Sequence, residues 1–264
     1  MNKTKIGVIG AGKMGGAIIK GLIDSTVYSA QQITVSGGKS ERTAQLAKVL
    51  GFQLVHSAAE VVAASQVILI AVVPKLVPTI LKEISPLLSE DQIVVSVAGN
   101  PPLATFREIL GKDKKIVRAL PNTPVAVLAG MTSICFEAPV QEAELAEVFQ
   151  LFQAIGKTEV ISEDLMNTAS ALAGSSPAFV DVFIEAMADA AVFKGMPRDA
   201  AYRLASQAVM GSAKLAYASN QNPAILKDEV CVPGGTTIAG IRSLEKNGMR
   251  SAVIEAIIAT VENH

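Results

Sequence analysis

Two glycine-rich segments carry most of the chemistry that this chain of 264 residues can offer. The first is Gly10-Ala11-Gly12-Lys13-Met14-Gly15, preceded by an apolar run at 6–9 and followed by a helical pattern at 14–24. Gly-x-Gly-x-x-Gly alone marks only a tight turn. Between a strand and a helix it is the fingerprint of a dinucleotide site. Gly10 permits the turn, Gly12 lets a pyrophosphate reach the backbone, and Gly15 lets helix and strand pack closely. The amides and dipole of the helix start then hold the phosphate charge. The second segment is Pro233-Gly234-Gly235-Thr236-Thr237, which opens a helical pattern of Ile238, Ile241, Arg242 and Glu245. Amides unscreened by side chains, with two hydroxyls beside them, suit a carboxylate. A plain helix cap after a flexible turn would account for one threonine, but not for two glycines beside two threonines.

The scarce residues narrow the chemistry further. There are two histidines, His56 and His264, and two cysteines, Cys135 and Cys231. A Cys/His zinc site, a redox pair and a disulfide framework are not expected, and no metal is assigned. The net charge is −1 and the cluster Lys112, Lys114, Lys115 is broken by Asp113, so nucleic acid is not an expected partner. The longest apolar stretch, 67–74, falls far short of the roughly 18 residues a membrane span needs. The N-terminus runs directly into a strand pattern without a signal-type segment, which leads us to expect a soluble, cytoplasmic protein with no membrane partner.

These segments need elements to position them. The length suggests about two domains. Apolar runs at 6–9, 33–35, 53–55, 67–73, 93–97 and 116–119 read as strands, with helical patterns at 14–24 and 42–50 between the first of them. Continuous apolar strands separated by helices predict a doubly wound, Rossmann-type α/β domain over residues 1–160. From 161 to 264 Ala-rich helical patterns take over, predicting an all-α domain for dimerisation and substrate binding. At 177–194 the polar residues are almost confined to Asp181, Glu185 and Asp189, so the helix must be buried nearly all round. A domain this small hardly encloses such a helix alone, and we expect a second subunit to complete its core. The alternative is a central helix within one chain.

At the end of the second strand, where an acidic residue would grip the ribose of NAD, stand Ser36-Gly37-Gly38-Lys39-Ser40, with no carboxylate before Glu41. Ser36 and Lys39, with Arg42 nearby, suit a 2′-phosphate. NADPH is the expected cofactor and NADH the alternative.

Four further segments, Ser96-Val97-Ala98-Gly99, 118–124 (Arg-Ala-Leu-Pro-Asn-Thr-Pro), 171–179 (Ala-Leu-Ala-Gly-Ser-Ser-Pro-Ala-Phe) and 228–240, which holds the Pro-Gly-Gly-Thr-Thr turn, resemble the pyrroline-5-carboxylate reductase family over essentially the whole chain. The resemblance implies NADPH-dependent reduction of the cyclic imine 1-pyrroline-5-carboxylate to L-proline by a homodimer or a ring of dimers. It implies cofactor contacts at Lys13, Met14, Ala71, Val72, Pro74, Ala98, Gly99, Pro121 and Asn122. It also implies substrate contacts at Ser175, Gly234, Gly235, Thr236 and Thr237, with Thr237 at the ring nitrogen. The chain departs from the family pattern at Lys13 (usually Asn), Val73 (usually Lys), Phe179 (usually Tyr) and Val232 (usually Ser or Thr). These departures motivate an alternative, an NADPH-binding sensor or scaffold. A β-hydroxyacid dehydrogenase relative would need a lysine a few residues after Gly174-Ser175-Ser176, and none comes before Lys194. A metal-dependent reductoisomerase would use Asp181, Glu185 and Asp189, which read more simply as a solvated helix edge. Cys231 reads as a small packing residue open to thiol reagents, and His56 as a loop residue on the rim of the cofactor domain.

Overall fold

A computed structural model of the chain describes residues 4–38, 41–140 and 142–263, without the side chains of 142–144. It contains two compact units, 1–174 and 175–264. Residues 161–174, assigned above to the helical domain, pack with the first unit.

The first unit is built on one eight-stranded sheet. Its strands are β1 (Ile6–Ile9), β2 (Ile33–Ser36), β3 (Gln53–Val55), β4 (Val67–Ile70), β5 (Ile93–Ser96), β6 (Lys115–Pro121), β7 (Gly130–Phe136) and β8 (Gly156–Val160). They lie in the order β3-β2-β1-β4-β5-β6-β7-β8. From β3 to β6 every pairing is parallel, β7 returns antiparallel to β6, and β8 is parallel to β7. The run β1, β2, β4 and β5 is buried at every residue, as strands covered on both faces must be. One face is covered by α1 (Lys13–Asp24) through Ile18, Ile19 and Leu22, and by α6 (Glu142–Gln153) through Val148, Leu151 and Phe152. The other face is covered by α3 (Ala58–Ala64), α4 (Val77–Ile84) and α5 (Leu103–Leu110), which bring Val61, Leu81 and Phe106. The helix ends follow local rules. Ser57 caps α3 and exchanges bonds with Glu60, and Gly111 at φ +89° stops α5. Between α1 and α3, α2 (Glu41–Leu50) closes the β2–β3 crossover.

One expectation about strands is corrected and two strands are added. The run at 67–73 is strand only to Ile70: the Ala71 amide still bonds the Ile9 carbonyl at 2.8 Å, and the chain then turns into a short 3₁₀ segment at Pro74–Leu76. Strands β7 and β8 were not anticipated. Thr132 and Ser133 interrupt the apolar run of β7, and β8 is the polar edge strand Gly-Lys-Thr-Glu-Val.

The second unit is entirely helical in its described residues: α8 (Ser176–Phe193), α9 (Arg198–Ser219), α10 (Pro223–Val230), α11 (Thr236–Lys246) and α12 (Met249–Glu262). A short helix α7 (Met166–Ala169) and a π-helical turn, Ser170–Ser175, lead into α8. Among its described residues the fully buried apolar side chains are Ala188, Ala201 and Ala205. Val182, Leu204, Tyr217, Ile225 and Val253 are all more than half exposed. No helix of the described residues is long and apolar enough to cross a membrane.

Cys135 lies in β7 opposite Arg118 of β6, and burial pushes its thiol up to about 11 from an ordinary 9.0, against the opposing pull of Arg118. The folded state therefore holds this proton more tightly than the unfolded chain does, so stability present below pH 9 is lost as pH rises toward 11. Relative to Cys135→Ala, the parent should lose about 2 kcal/mol between pH 9 and 11 in urea unfolding.

Candidate active site

The strand order reverses between β1 and β4, where α1 begins, and this is where an open α/β sheet leaves its crevice at the carboxyl ends of the strands. Gly10 sits there at φ +104°, and its amide donates to the Ser36 carbonyl at 2.8 Å. A Cβ on Gly10 would come within 2.7 Å of the Ala71 carbonyl oxygen. A Cβ on Gly15 would come within 2.1 Å of the Gly10 carbonyl oxygen. Around Gly12, by contrast, a Cβ would meet nothing within 4 Å. Two glycines are thus required by packing and one by the open space beside it. No side chain caps α1 at Gly12, so the first-turn amides of the helix remain for an anion. This arrangement fits a pyrophosphate.

The other expected cofactor residues of the first unit fall on the same crevice edge. Ser36 ends β2, Ala71 and Val72 follow β4, Ala98 and Gly99 follow β5, and Pro121 and Asn122 close β6. Lys13 and Met14 open α1, and Pro74 opens the 3₁₀ turn after β4. Lys39 lies outside the described residues. A cleft of about 430 Å³ lined by Gly37, Gly38, Glu41, Thr43 and His56 adjoins the end of β2. His56 therefore stands on the rim, its backbone amide donating to Glu60 Oε2 at 2.8 Å.

Asn122 is more committed than expected. Its Nδ2 donates to the Ala173 carbonyl at 2.9 Å and its Oδ1 accepts from the Met131 amide at 2.8 Å. Pro177 has no N–H to offer the carbonyl four residues earlier, and Asn122 supplies the missing donor.

The second unit carries the other glycine segment. Gly234 adopts φ +68°, Gly235 is the N-cap of α11, and Thr236 and Thr237 form its first turn. A Cβ on Gly235 would approach Val232 Cγ2 to 2.7 Å. The Gly235 amide, expected to face outward, donates instead to the Val232 carbonyl at 3.0 Å. The amides left for an anion are those of Thr236 and Thr237, which no side chain caps. Both threonines are exposed, Ser175 is partly buried at the end of the π turn, and Cys231 is partly buried at the end of α10.

Asp181, Glu185 and Asp189 are exposed along α8, and Asp189 pairs with Arg198. No group of three His, Cys, Asp or Glu among the described residues could hold a metal. A groove of about 460 Å³ between α10, α11 and α12, lined by Ile241, Leu244, Met249 and Val253, contains none of the expected site residues.

Comparison with known proteins gives this geometry its family. Residues 163–264 match the model for pyrroline-5-carboxylate reductase dimerisation, and residues 5–100 match that for NADP oxidoreductase, coenzyme F420-dependent. The pyrroline-5-carboxylate reductase of Escherichia coli is 46% identical over 260 residues, covering 98% of this chain and 97% of the relative. This chain belongs to the pyrroline-5-carboxylate reductase family. The archaeal member from Methanosarcina acetivorans is 36% identical over 262 residues, covering 99% of this chain and 97% of the relative. The crystal structure of the Plasmodium falciparum pyrroline carboxylate reductase with NADP bound matches with a TM-score of 0.88 and 30% identity, covering 100% of this chain and 97% of that one. The matched dimerisation region, 163–264, takes in the whole helical unit, whose helices bury so little apolar surface, and the last residues of the first unit.

Arg118 and Glu163 were not among the expected site residues. Arg118 is 3% exposed and ion-paired with Glu163. The available signal was a lone cation inside the apolar run of β6.

The three glycines should separate in mutagenesis. Gly12→Ala has room for its methyl group, so it should melt like the parent while losing most NADPH affinity. Gly15→Ala drives a Cβ into a backbone carbonyl and should lower the melting temperature by several degrees. Differential scanning fluorimetry with and without NADPH reads both, and a Gly12→Ala variant binding NADPH at parental affinity would refute the phosphate seat.

Proposed function

We propose that this chain catalyses the NADPH-dependent reduction of 1-pyrroline-5-carboxylate to L-proline. The observation that carries this reading is the uncapped start of α11, where Thr236 and Thr237 offer amides and hydroxyls without a charged side chain. Such a seat suits a small carboxylate. The family relatives named for this reaction, and the one with NADP bound, support it.

The reaction asks little of side chains, which agrees with a chain so poor in imidazole and thiol. A protonated cyclic imine is already electrophilic at carbon, so the protein must align the reactants and exclude water. The cofactor that Gly10, Gly12 and Gly15 would seat would supply the hydride for the imine carbon. Thr236 and Thr237 hold the substrate carboxylate through their amides. The Thr237 hydroxyl meets the ring nitrogen, orients it, and relays through water the proton that the product amine takes up. Ser175 contributes a hydroxyl to the substrate. Gly10, Gly12 and Gly15 seat the pyrophosphate, while Ser36 and Lys39 favour a 2′-phosphate over the free hydroxyl of NADH.

In a single chain the α11 start is exposed, so enclosure of the reaction needs further surface. We assign that surface to a second copy. Among its described residues the helical unit has three alanines as its fully buried apolar residues, and Phe183, Val182 and Val180 of α8 stay exposed. Two such units meeting would bury this surface, at ~25 cal/mol for each Å² removed from water.

Three measurements test the proposal. NADPH oxidation with pyrroline-5-carboxylate should proceed, with a lower KM for NADPH than for NADH; binding of NADPH without turnover would favour the sensor reading. Thr237→Ala should lower kcat/KM for the imine by roughly 10- to 100-fold, the loss of one hydrogen bond to a charged group, with NADPH affinity unchanged. Light scattering should show a dimer or a multiple of it, Val182→Glu should shift it toward monomer, and a parental monomer at micromolar concentration would overturn the assembly.

A further inference from the structure

We propose that Arg118 and Glu163 are a positioning pair that shapes the nicotinamide side of the crevice by holding the loop at 97–102; the proposal rests on the cofactor reading above. Arg118 is a charged residue within the buried part of β6, between Val117 and Ala119, both fully buried. Bringing a guanidinium into that position costs several kcal/mol unless it is neutralised and hydrogen-bonded. Both conditions are met, one by Glu163, which stands after β8, and one by a carbonyl of the loop itself. Nη1 pairs with Glu163 Oε1, and Nη2 donates to the Gly99 carbonyl at 2.6 Å. The same Glu163 Oε1 accepts the Leu103 amide at 2.7 Å, the first residue of α5. Arg118 Nε has no partner among the described residues, so the two terminal nitrogens alone hold the fork.

The 97–102 loop is held at its entry, where the Val97 amide also bonds the Ile70 carbonyl at 3.0 Å, in its middle and at its exit. The Ala98 amide bonds Ser96 Oγ at 3.3 Å on entry, Gly99 is held by Arg118 in the middle, and Leu103 is held by Glu163 on exit. The ion pair accounts for two of the three. Where the loop lies gives the pair its consequence. It leaves β5, on the opposite side of the β1–β4 reversal from β2, whose end faces the adenosine half of a dinucleotide. The loop thus belongs to the half that receives the nicotinamide. A Cβ on Gly99 would meet nothing within 4 Å, so the loop has open space beside it at this residue. Arg118 and Glu163 touch neither cofactor nor substrate in this account and act through Ala98 and Gly99.

A role confined to stability would affect all ligands alike, whereas a role at this loop discriminates between parts of the cofactor. Adenosine 2′,5′-bisphosphate carries the adenosine and 2′-phosphate but no nicotinamide, and serves as the probe. Glu163→Ala and Arg118→Lys should each weaken NADPH by about tenfold or more, as loss of charge-assisted bonds predicts, while the bisphosphate dissociation constant stays within about twofold. Lysine has one ammonium and cannot reach the Gly99 carbonyl and Glu163 together in the planar geometry of arginine. Glu163→Gln keeps an acceptor for Leu103 and for Arg118, so it should recover most of the NADPH affinity. Melting curves accompany each variant; if Glu163→Ala leaves the buried guanidinium unpaired and does not fold, Arg118→Lys and Glu163→Gln still decide the question. Parental NADPH affinity in Arg118→Lys, or parallel weakening of both ligands, would overturn the positioning role. A parent protein that binds neither nucleotide would instead remove the cofactor reading and this inference with it, so the two failures are told apart.

Discussion

The structure depends on one place where backbone meets backbone with no room for a methyl group. The Gly15 Cα faces the Gly10 carbonyl so closely that a Cβ would stand 2.1 Å from its oxygen, and Gly10 in turn lies against the Ala71 carbonyl. Three segments, the β1–α1 turn, the start of α1 and the exit of β4, are thereby drawn to one point at the reversal of strand order. Because α1 starts so close to the sheet, its free amides open onto the crevice. Ser36, Ala71 and Ala98 reach the same edge because β1, β2, β4 and β5 end in register, while β6 runs on three residues past its Ser96–Arg118 pairing to Pro121, ahead of Asn122. The open start of α1 is a consequence of close packing, and a larger residue at 10 or 15 would displace the helix that forms it.

The two units of the chain are stabilised in different ways. The first has a conventional three-layer core, with Ile18, Phe152 and Leu22 on one face of the sheet and Leu81, Phe106 and Val61 on the other. The helical unit has no comparable interior, since its fully buried apolar side chains among the described residues are three alanines. Burial of apolar area is the main favourable term in folding, so a unit with this surface completes its core against another molecule. The match of residues 163–264 to the family's dimerisation region agrees with that physical reading.

Two of the buried polar side chains of the first unit, Arg118 and Asn122, have a positional task. Arg118 ties β6 to the β5–α5 loop and to the residue that caps α5. Asn122 joins the end of β6 to Met131 and to a carbonyl left without a donor by Pro177. Both stand in the segment Arg118-Ala119-Leu120-Pro121-Asn122. In that segment the apolar residues build the sheet and the polar ones orient the loops around it.

Much of this protein was legible in its amino-acid order. The glycine spacing after a first apolar strand, the parallel-strand pattern, the change to Ala-rich helices and the Pro-Gly-Gly-Thr-Thr turn all act over a few residues, where steric and hydrogen-bonding rules operate locally. The resemblance carried by four short segments pointed to the family that the comparisons show. Strands β7 and β8 were not legible, because a polar edge strand is made by its pairing with a neighbour and not by its own hydrophobicity. The division of the chain at 174/175 likewise rests on long-range packing of residues 161–174. Only the tertiary structure showed that the Gly235 amide is spent on Val232, that Asn122 braces Ala173, and that a glutamate 45 residues away neutralises Arg118. Sequence determines which groups are available and how the nearby backbone can turn. Which donor meets which acceptor is decided when distant segments are packed together, because a buried polar group takes its partner from whatever the fold brings within reach.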